Sequence, residues 1–89
     1  MKVDMALEDI RKQIDEIDRE LLGLVYRRVG LAKRAGEIKK KNGDEIYDPV
    51  REKEIIESKS QEAEELGLDP VFATELYKTI IGECRRVQK

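Results

Sequence analysis

Histidine and tryptophan are absent from the 89 residues, cysteine and phenylalanine each occur once, and proline occurs twice. Without an imidazole, Ser-His-Asp and Cys-His nucleophile arrangements are excluded, together with the usual histidine-containing metal sites. The single thiol, Cys84, forms no intrachain disulfide and is too few for a structural zinc site, which needs four ligands. Carboxylate sites for hard cations stay formally open, but neither a metal nor a cofactor is expected. No uncharged run approaches the roughly 20 apolar residues of a membrane span, and no signal-peptide stretch opens the chain, so no membrane partner is expected and the location reads as cytoplasmic. Charge of one sign is lacking too. With 18 Lys+Arg against 20 Asp+Glu the net charge is −2, without the basic excess of a nucleic-acid binder. The local stretch Lys33 to Lys41 is interrupted by Glu37 and carries no stacking aromatics.

What is present is helical pattern. Leu7, Ile10, Ile14, Ile17, Leu21, Leu24, Arg28, Leu31, Ala35 and Ile38 keep a 3-4 spacing for more than four heptads, which predicts one long amphipathic helix ending near Asn42-Gly43. Asp48-Pro49 announces a second helix, an N-cap acceptor followed by proline at the first helical position, and Leu66-Gly67 stops it. Asp69-Pro70 repeats the start signal, and Phe72, Leu76, Ile80, Cys84 and Val87 carry an apolar stripe to the C-terminus. The expected fold is all-α: one long helix and two shorter ones in a single domain, residues 1–89, standing alone. A first helix of roughly 50 Å cannot be covered by two helices of about 25–30 Å. An L-shaped monomer with a frayed end is one outcome; a homodimer with the long helices paired or intertwined covers the stripe more completely.

Arg28 stands in the seam where the period calls for a hydrophobe, and a buried guanidinium without an anionic partner is strongly disfavoured. A protein carboxylate or a snorkelling side chain answers that need, and so does an anionic ligand. Lys39 lies eleven residues on, about 20° around and about 16 Å along the axis, so both cations face nearly the same way. With Lys40 and Lys41 it equally suits the negative end of the helix. Arg11, seventeen residues before Arg28, falls about 100° away and cannot easily serve the same site in cis. Arg51 and Glu52 occupy the first turn after Asp48, where an arginine is the less expected residue. Cys84 and Gln88 share a face near the C-terminus with Ile81; taken alone they read as a small buried residue and a frayed end.

Together these residues resemble the all-helical chorismate mutases of the shikimate pathway. The likeness covers nearly the whole chain. Its most specific part runs Ile10-Arg11-Lys12-Gln13-Ile14-Asp15-Glu16-Ile17-Asp18 to Leu21-Leu22, Arg27-Arg28 and Lys39, followed by Asp48-Pro49-Val50-Arg51-Glu52; Cys84 and Gln88 match more loosely. The resemblance implies a two-fold dimer with two sites, each enclosed by helices of one subunit and completed by Arg11 of the other. It also implies that Arg11 and Arg28 grip the two carboxylates of chorismate, and that Lys39 bridges a carboxylate and the ether oxygen. Glu52, helped by the backbone at Asp48, would hold the ring hydroxyl, with Arg51 and Cys84 in support. Gln88 would donate a second hydrogen bond to the ether oxygen. Family members often carry serine where this chain has Cys84, which weakens or removes a hydroxyl contact.

An intramolecular rearrangement of chorismate to prephenate needs neither nucleophile nor proton transfer, which suits a chain without histidine. Two alternatives stand beside it: an isochorismate pyruvate-lyase, of the same fold and with a related dianionic substrate, and a non-catalytic helical dimerisation module in which Arg28 forms only an ion pair.

Overall fold

Aspartate followed by proline sets two of the helix starts. In the computed structural model, which describes residues 2–89, the elements are α1 (Lys2–Asn42), α2 (Pro49–Leu66) and α3 (Pro70–Gln88), with no strand among the described residues. Asp48 Oδ1 accepts from the Arg51 amide at 3.0 Å and Asp69 Oδ1 from the Val71 amide at 3.0 Å, which satisfies donors that a helix N-terminus leaves free. At the other end of α2, Gly67 takes φ 79°, and the Leu68 amide closes onto the Ala63 carbonyl at 2.8 Å. That left-handed turn is cheap for glycine alone and reverses the chain into α3. The all-α, three-helix expectation is met, and the expected boundaries lie within a residue or so of the observed ones except at the start of α1, which begins at Lys2, five residues before the Leu7 at which the apolar period opens. None of the helices is long and apolar enough to cross a membrane.

With 41 residues at about 1.5 Å each, α1 accounts for the whole 63 Å long axis of the molecule. α3 packs against both other helices, whereas α1 and α2 do not approach one another. A gap is therefore left between α1 and α2, floored by α3. α1 and α3 run in the same direction over their shared length, since Arg28 meets Cys84, Gly36 meets Gln88 and Lys40 meets Lys89.

Gly36 makes that approach possible. It is buried, and a Cβ built on it would stand 2.8 Å from Gln88 Cβ and 2.9 Å from Gln88 Cα. Alanine would gain up to about 1 kcal/mol of helix propensity, but it would push α3 away at a cost of about 1–3 kcal/mol. Gly36→Ala is therefore expected to lower the thermal midpoint by several degrees, at roughly 4–8 °C per kcal/mol for a domain of this size. A calorimetric scan in which the midpoint rises instead would show that the helices have room to spare.

Little of the chain is buried. Ala63, Ala73, Ile81 and Cys84 are the only buried apolar side chains among the described residues. Along α1 every residue from Ala6 to Leu24 is exposed, including Ile10 at 52% and Ile17 at 57%. The accessible surface is 7568 Å² for a 10.3 kDa chain, whereas a compact monomer of that mass presents about 5,400 Å². The radius of gyration, 17.3 Å, likewise exceeds the roughly 12 Å of a compact domain of this length. About 2,200 Å² per chain is thus in excess of what a self-contained fold exposes. The apolar stripe of α1, exposed from Leu7 to Leu24, is part of it.

Candidate functional site

The gap between α1 and α2 is a cavity of about 310 Å³, within the size range of small-molecule sites. Seven of the eight side chains expected to bind or act on a ligand line it: Arg28 and Lys39 from α1, Asp48 from the connecting loop, Arg51 and Glu52 from α2, and Cys84 and Gln88 from α3. Arg11 does not. It lies on the exposed half of α1, about 25 Å along the axis from Arg28.

Arg28 is half-buried and donates through Nη1 to Cys84 Sγ at 3.0 Å. Sulfur is a weak acceptor, so most of the hydrogen-bonding capacity of the guanidinium stays unspent. Cys84 itself is buried at 5% exposure, the small interior residue its position on the stripe called for. Lys39 Nζ donates to the Ile46 carbonyl at 3.0 Å and to Gln88 Oε1 at 2.9 Å. Neither Arg28 nor Lys39 meets a carboxylate among the described residues. Of the three explanations open for a seam cation, a protein carboxylate is therefore not the one realised for Arg28 among the described residues.

Gln88 lies in the last turn of α3 rather than in a frayed end. Its Nε2 donates to the Cys84 carbonyl at 2.9 Å while its Oε1 accepts from Lys39. Only one amide orientation satisfies both neighbours, because an ammonium only donates and a carbonyl only accepts. One ammonium N–H of Lys39 and one amide N–H of Gln88 are left over, on two side chains joined by the Nζ–Oε1 hydrogen bond. Both side chains line the cavity, so each brings a spare donor to it.

The rim across from them is occupied. Asp48 Oδ1 is spent on capping α2. Arg51, exposed, is 3.9 Å from Glu54, a surface pair of little strength. Glu52 is half-buried, and both of its oxygens are taken by Arg85: Nε donates to Oε2 at 3.1 Å and Nη2 donates to Oε1. Arg85 in turn lies over the Tyr47 ring, 4.5 Å from its centroid. The hydrogen bond to Glu52 pushes the Arg85 pKa further up, the negative charge of Glu52 adds to it, and the guanidinium stays charged throughout. Arg85, Tyr47 and the Ile46 carbonyl are site features that the sequence reading missed. The signal for Arg85 was its spacing, four residues after Ile81 and three before Gln88, which puts it on the cavity face of α3.

In total, four cations (Arg28, Lys39, Arg51 and Arg85) and two carboxylates (Asp48 and Glu52) line the cavity. The surplus is positive and suits a small ligand with more than one anionic group. No cluster of His, Cys, Asp and Glu among the described residues is arranged to hold a metal ion.

The family model for chorismate mutase type II matches residues 10–89. The chorismate mutase of Methanocaldococcus jannaschii is 37% identical over 83 residues, covering 93% of this chain and 84% of that protein. The bifunctional chorismate mutase/prephenate dehydratase of Aquifex aeolicus is 42% identical over 86 residues, 93% of this chain; the chain spans only 24% of that protein's length. A 4-amino-4-deoxychorismate mutase of Streptomyces venezuelae is 33% identical over 82 residues, 92% of this chain and 80% of that protein. No solved structure matches the chain significantly.

Proposed function

The chain belongs to the type II chorismate mutase family, and from that premise we propose that it is a cytoplasmic, single-domain enzyme converting chorismate to prephenate. The observation that carries this reading is the Lys39–Gln88 pair: Lys39 Nζ donates to Gln88 Oε1 at 2.9 Å, each side chain keeps an N–H to spare, and both line a cavity that also holds Arg28, an arginine that meets no carboxylate among the described residues. The reaction breaks one carbon–oxygen bond and makes one carbon–carbon bond within a single molecule. No acid, base or nucleophile is required of the protein. Holding the enolpyruvyl arm over the ring supplies orientation. Because carbon–oxygen cleavage runs ahead of bond formation, negative charge grows on the ether oxygen, and donors aimed there favour the transition state over the substrate. Lys39 and Gln88 are those donors in this reading, with Arg28 holding one carboxylate of the substrate.

The second carboxylate needs a further cation, and Arg11 of a partner subunit is proposed for it. Its distance from Arg28 along α1 excludes service within one chain, and the bare apolar stripe around it calls for a second copy. If each chain gives up about 2,200 Å², the interface would total about 4,400 Å², in the range of obligate homodimers. Glu52 is placed at the ring hydroxyl, with Asp48, Arg51 and Cys84 in support.

The deciding experiment is to offer purified protein chorismate and follow both its disappearance and the appearance of prephenate, with solution mass measured alongside. Prephenate in step with chorismate loss and a mass of two chains are expected. Free pyruvate in place of prephenate, or no turnover by a folded dimer, would overturn the assignment.

A further inference from the structure

Glu52 is the proposed acceptor for the ring hydroxyl, yet it is not a bare carboxylate. Arg85 engages both of its oxygens and itself lies over the Tyr47 ring. The part of the cavity that meets the ring substituent is therefore a neutral ion pair with a guanidinium fixed beside it. This bears on a choice that the relatives pose: proteins of 33% identity carry the name 4-amino-4-deoxychorismate mutase, whose substrate has an amino group where chorismate has the hydroxyl. An amine on a tetrahedral ring carbon is an ammonium at neutral pH. A hydroxyl needs only one lone pair of Glu52, and the ion pair leaves lone pairs free. An ammonium could use the same lone pairs, but it would meet a carboxylate whose charge Arg85 already neutralises and would sit against the positive charge of the guanidinium.

We infer that Arg85 is a specificity-determining residue that, by neutralising Glu52, selects substrates bearing a hydroxyl on the ring over those bearing an ammonium. The inference rests on the proposed chorismate-binding role of the cavity and deepens it. Arg85 need not touch the substrate, so it acts through Glu52 as a positioning residue as well as through its charge. With Arg85 replaced by a neutral side chain, Glu52 loses the cation that neutralises it and presents a net negative charge to the cavity. That environment would attract an ammonium.

The test compares kcat/KM for chorismate and 4-amino-4-deoxychorismate in the wild type, Arg85→Gln, Arg85→Lys and Glu52→Gln. The wild type is expected to prefer chorismate. Arg85→Gln is expected to shift the ratio at least about tenfold toward the amino substrate, the scale of one charge–charge contact in a partly wet site, and Arg85→Lys should keep most of the preference. Glu52→Gln leaves the guanidinium uncompensated and should shift the ratio the opposite way. A merely structural role for Arg85 would lower both substrates alike and leave the ratio fixed, which overturns the inference. So does a wild type that prefers the amino substrate. Absence of turnover on either substrate by folded wild type would instead strike at the chorismate reading itself. Helix content and thermal midpoint of each variant confirm that folded protein is being compared.

Discussion

Lys39→Met is expected to lower kcat on chorismate by about 10²–10³-fold, the usual effect of removing one preorganised donor from a developing oxyanion, equivalent to about 2.7–4 kcal/mol. The ether oxygen of the bound substrate is a poor acceptor, and the bond from Lys39 gains most of its strength as charge arrives during carbon–oxygen cleavage. KM should therefore rise by much less than kcat falls, and only through the share of the lysine charge that meets a carboxylate. Methionine keeps the length and the apolar stem while removing charge and donors. The Ile46 carbonyl then loses its partner, but it is only half-buried and water can replace the bond. Stability should thus change by less than about 1 kcal/mol. Gln88 would also lose the contact that orients its amide, so the variant removes one donor and loosens the other. The readout is a steady-state kcat and KM for chorismate with far-ultraviolet circular dichroism as the control; a folded variant within threefold of the wild-type kcat would remove Lys39 from the transition state.

The helices were legible in the sequence because their signals are local. Asp48-Pro49 and Asp69-Pro70 fix starts by one hydrogen bond each, and Gly43 and Gly67, both at positive φ, fix stops by backbone geometry alone. The common facing of Arg28 and Lys39 followed from a period of 3.6 residues and holds in the fold, since one cavity takes both. What could not be read was how three helices would meet. Arg28 called for an anionic partner, and instead Cys84, 56 positions away, accepts from it, a contact set by the packing of α3 along α1. The hold on Gln88 depends on Gly36, whose missing side chain lowers helix propensity in sequence terms and only in three dimensions becomes the reason the chain end is fixed. Arg85 gave no distinct signal, since a basic residue next to Arg86 in the last turn of a helix is the ordinary complement to the helix dipole. Its neighbour Arg86 does behave as a surface residue, paired with Glu83 at 2.7 Å, while Arg85 reaches across to α2.

Mixing two inactive proteins should restore activity. In the proposed dimer each site takes Arg28 from one chain and Arg11 from the other, so Arg11→Ala and Arg28→Ala homodimers each lack one cation at both sites and should lose activity by at least 10²-fold, the scale of losing a charge-assisted carboxylate contact. A heterodimer of the two concentrates both losses at one site and leaves the other whole. Equal mixing with free exchange makes about half of all dimers heterodimers, each with one of two sites intact, so about a quarter of wild-type activity should return. That quarter stands well above the homodimers. Exchange has to be driven, because an interface of this size with an apolar seam dissociates slowly; a cycle of denaturation and refolding of the mixed chains achieves it, and a tag on one chain verifies it. The sign of the result is decided by geometry alone. α1 carries Arg11 on a face about 100° from Arg28 and about 25 Å away, a separation no arginine side chain spans, so an arginine that acts at the site from that position acts from a second chain. Verified heterodimers with no more activity than the homodimers would place Arg11 outside the site and leave the second carboxylate to be held by another cation, for which Arg51, exposed and only weakly paired with Glu54 at the cavity rim, is the nearest candidate.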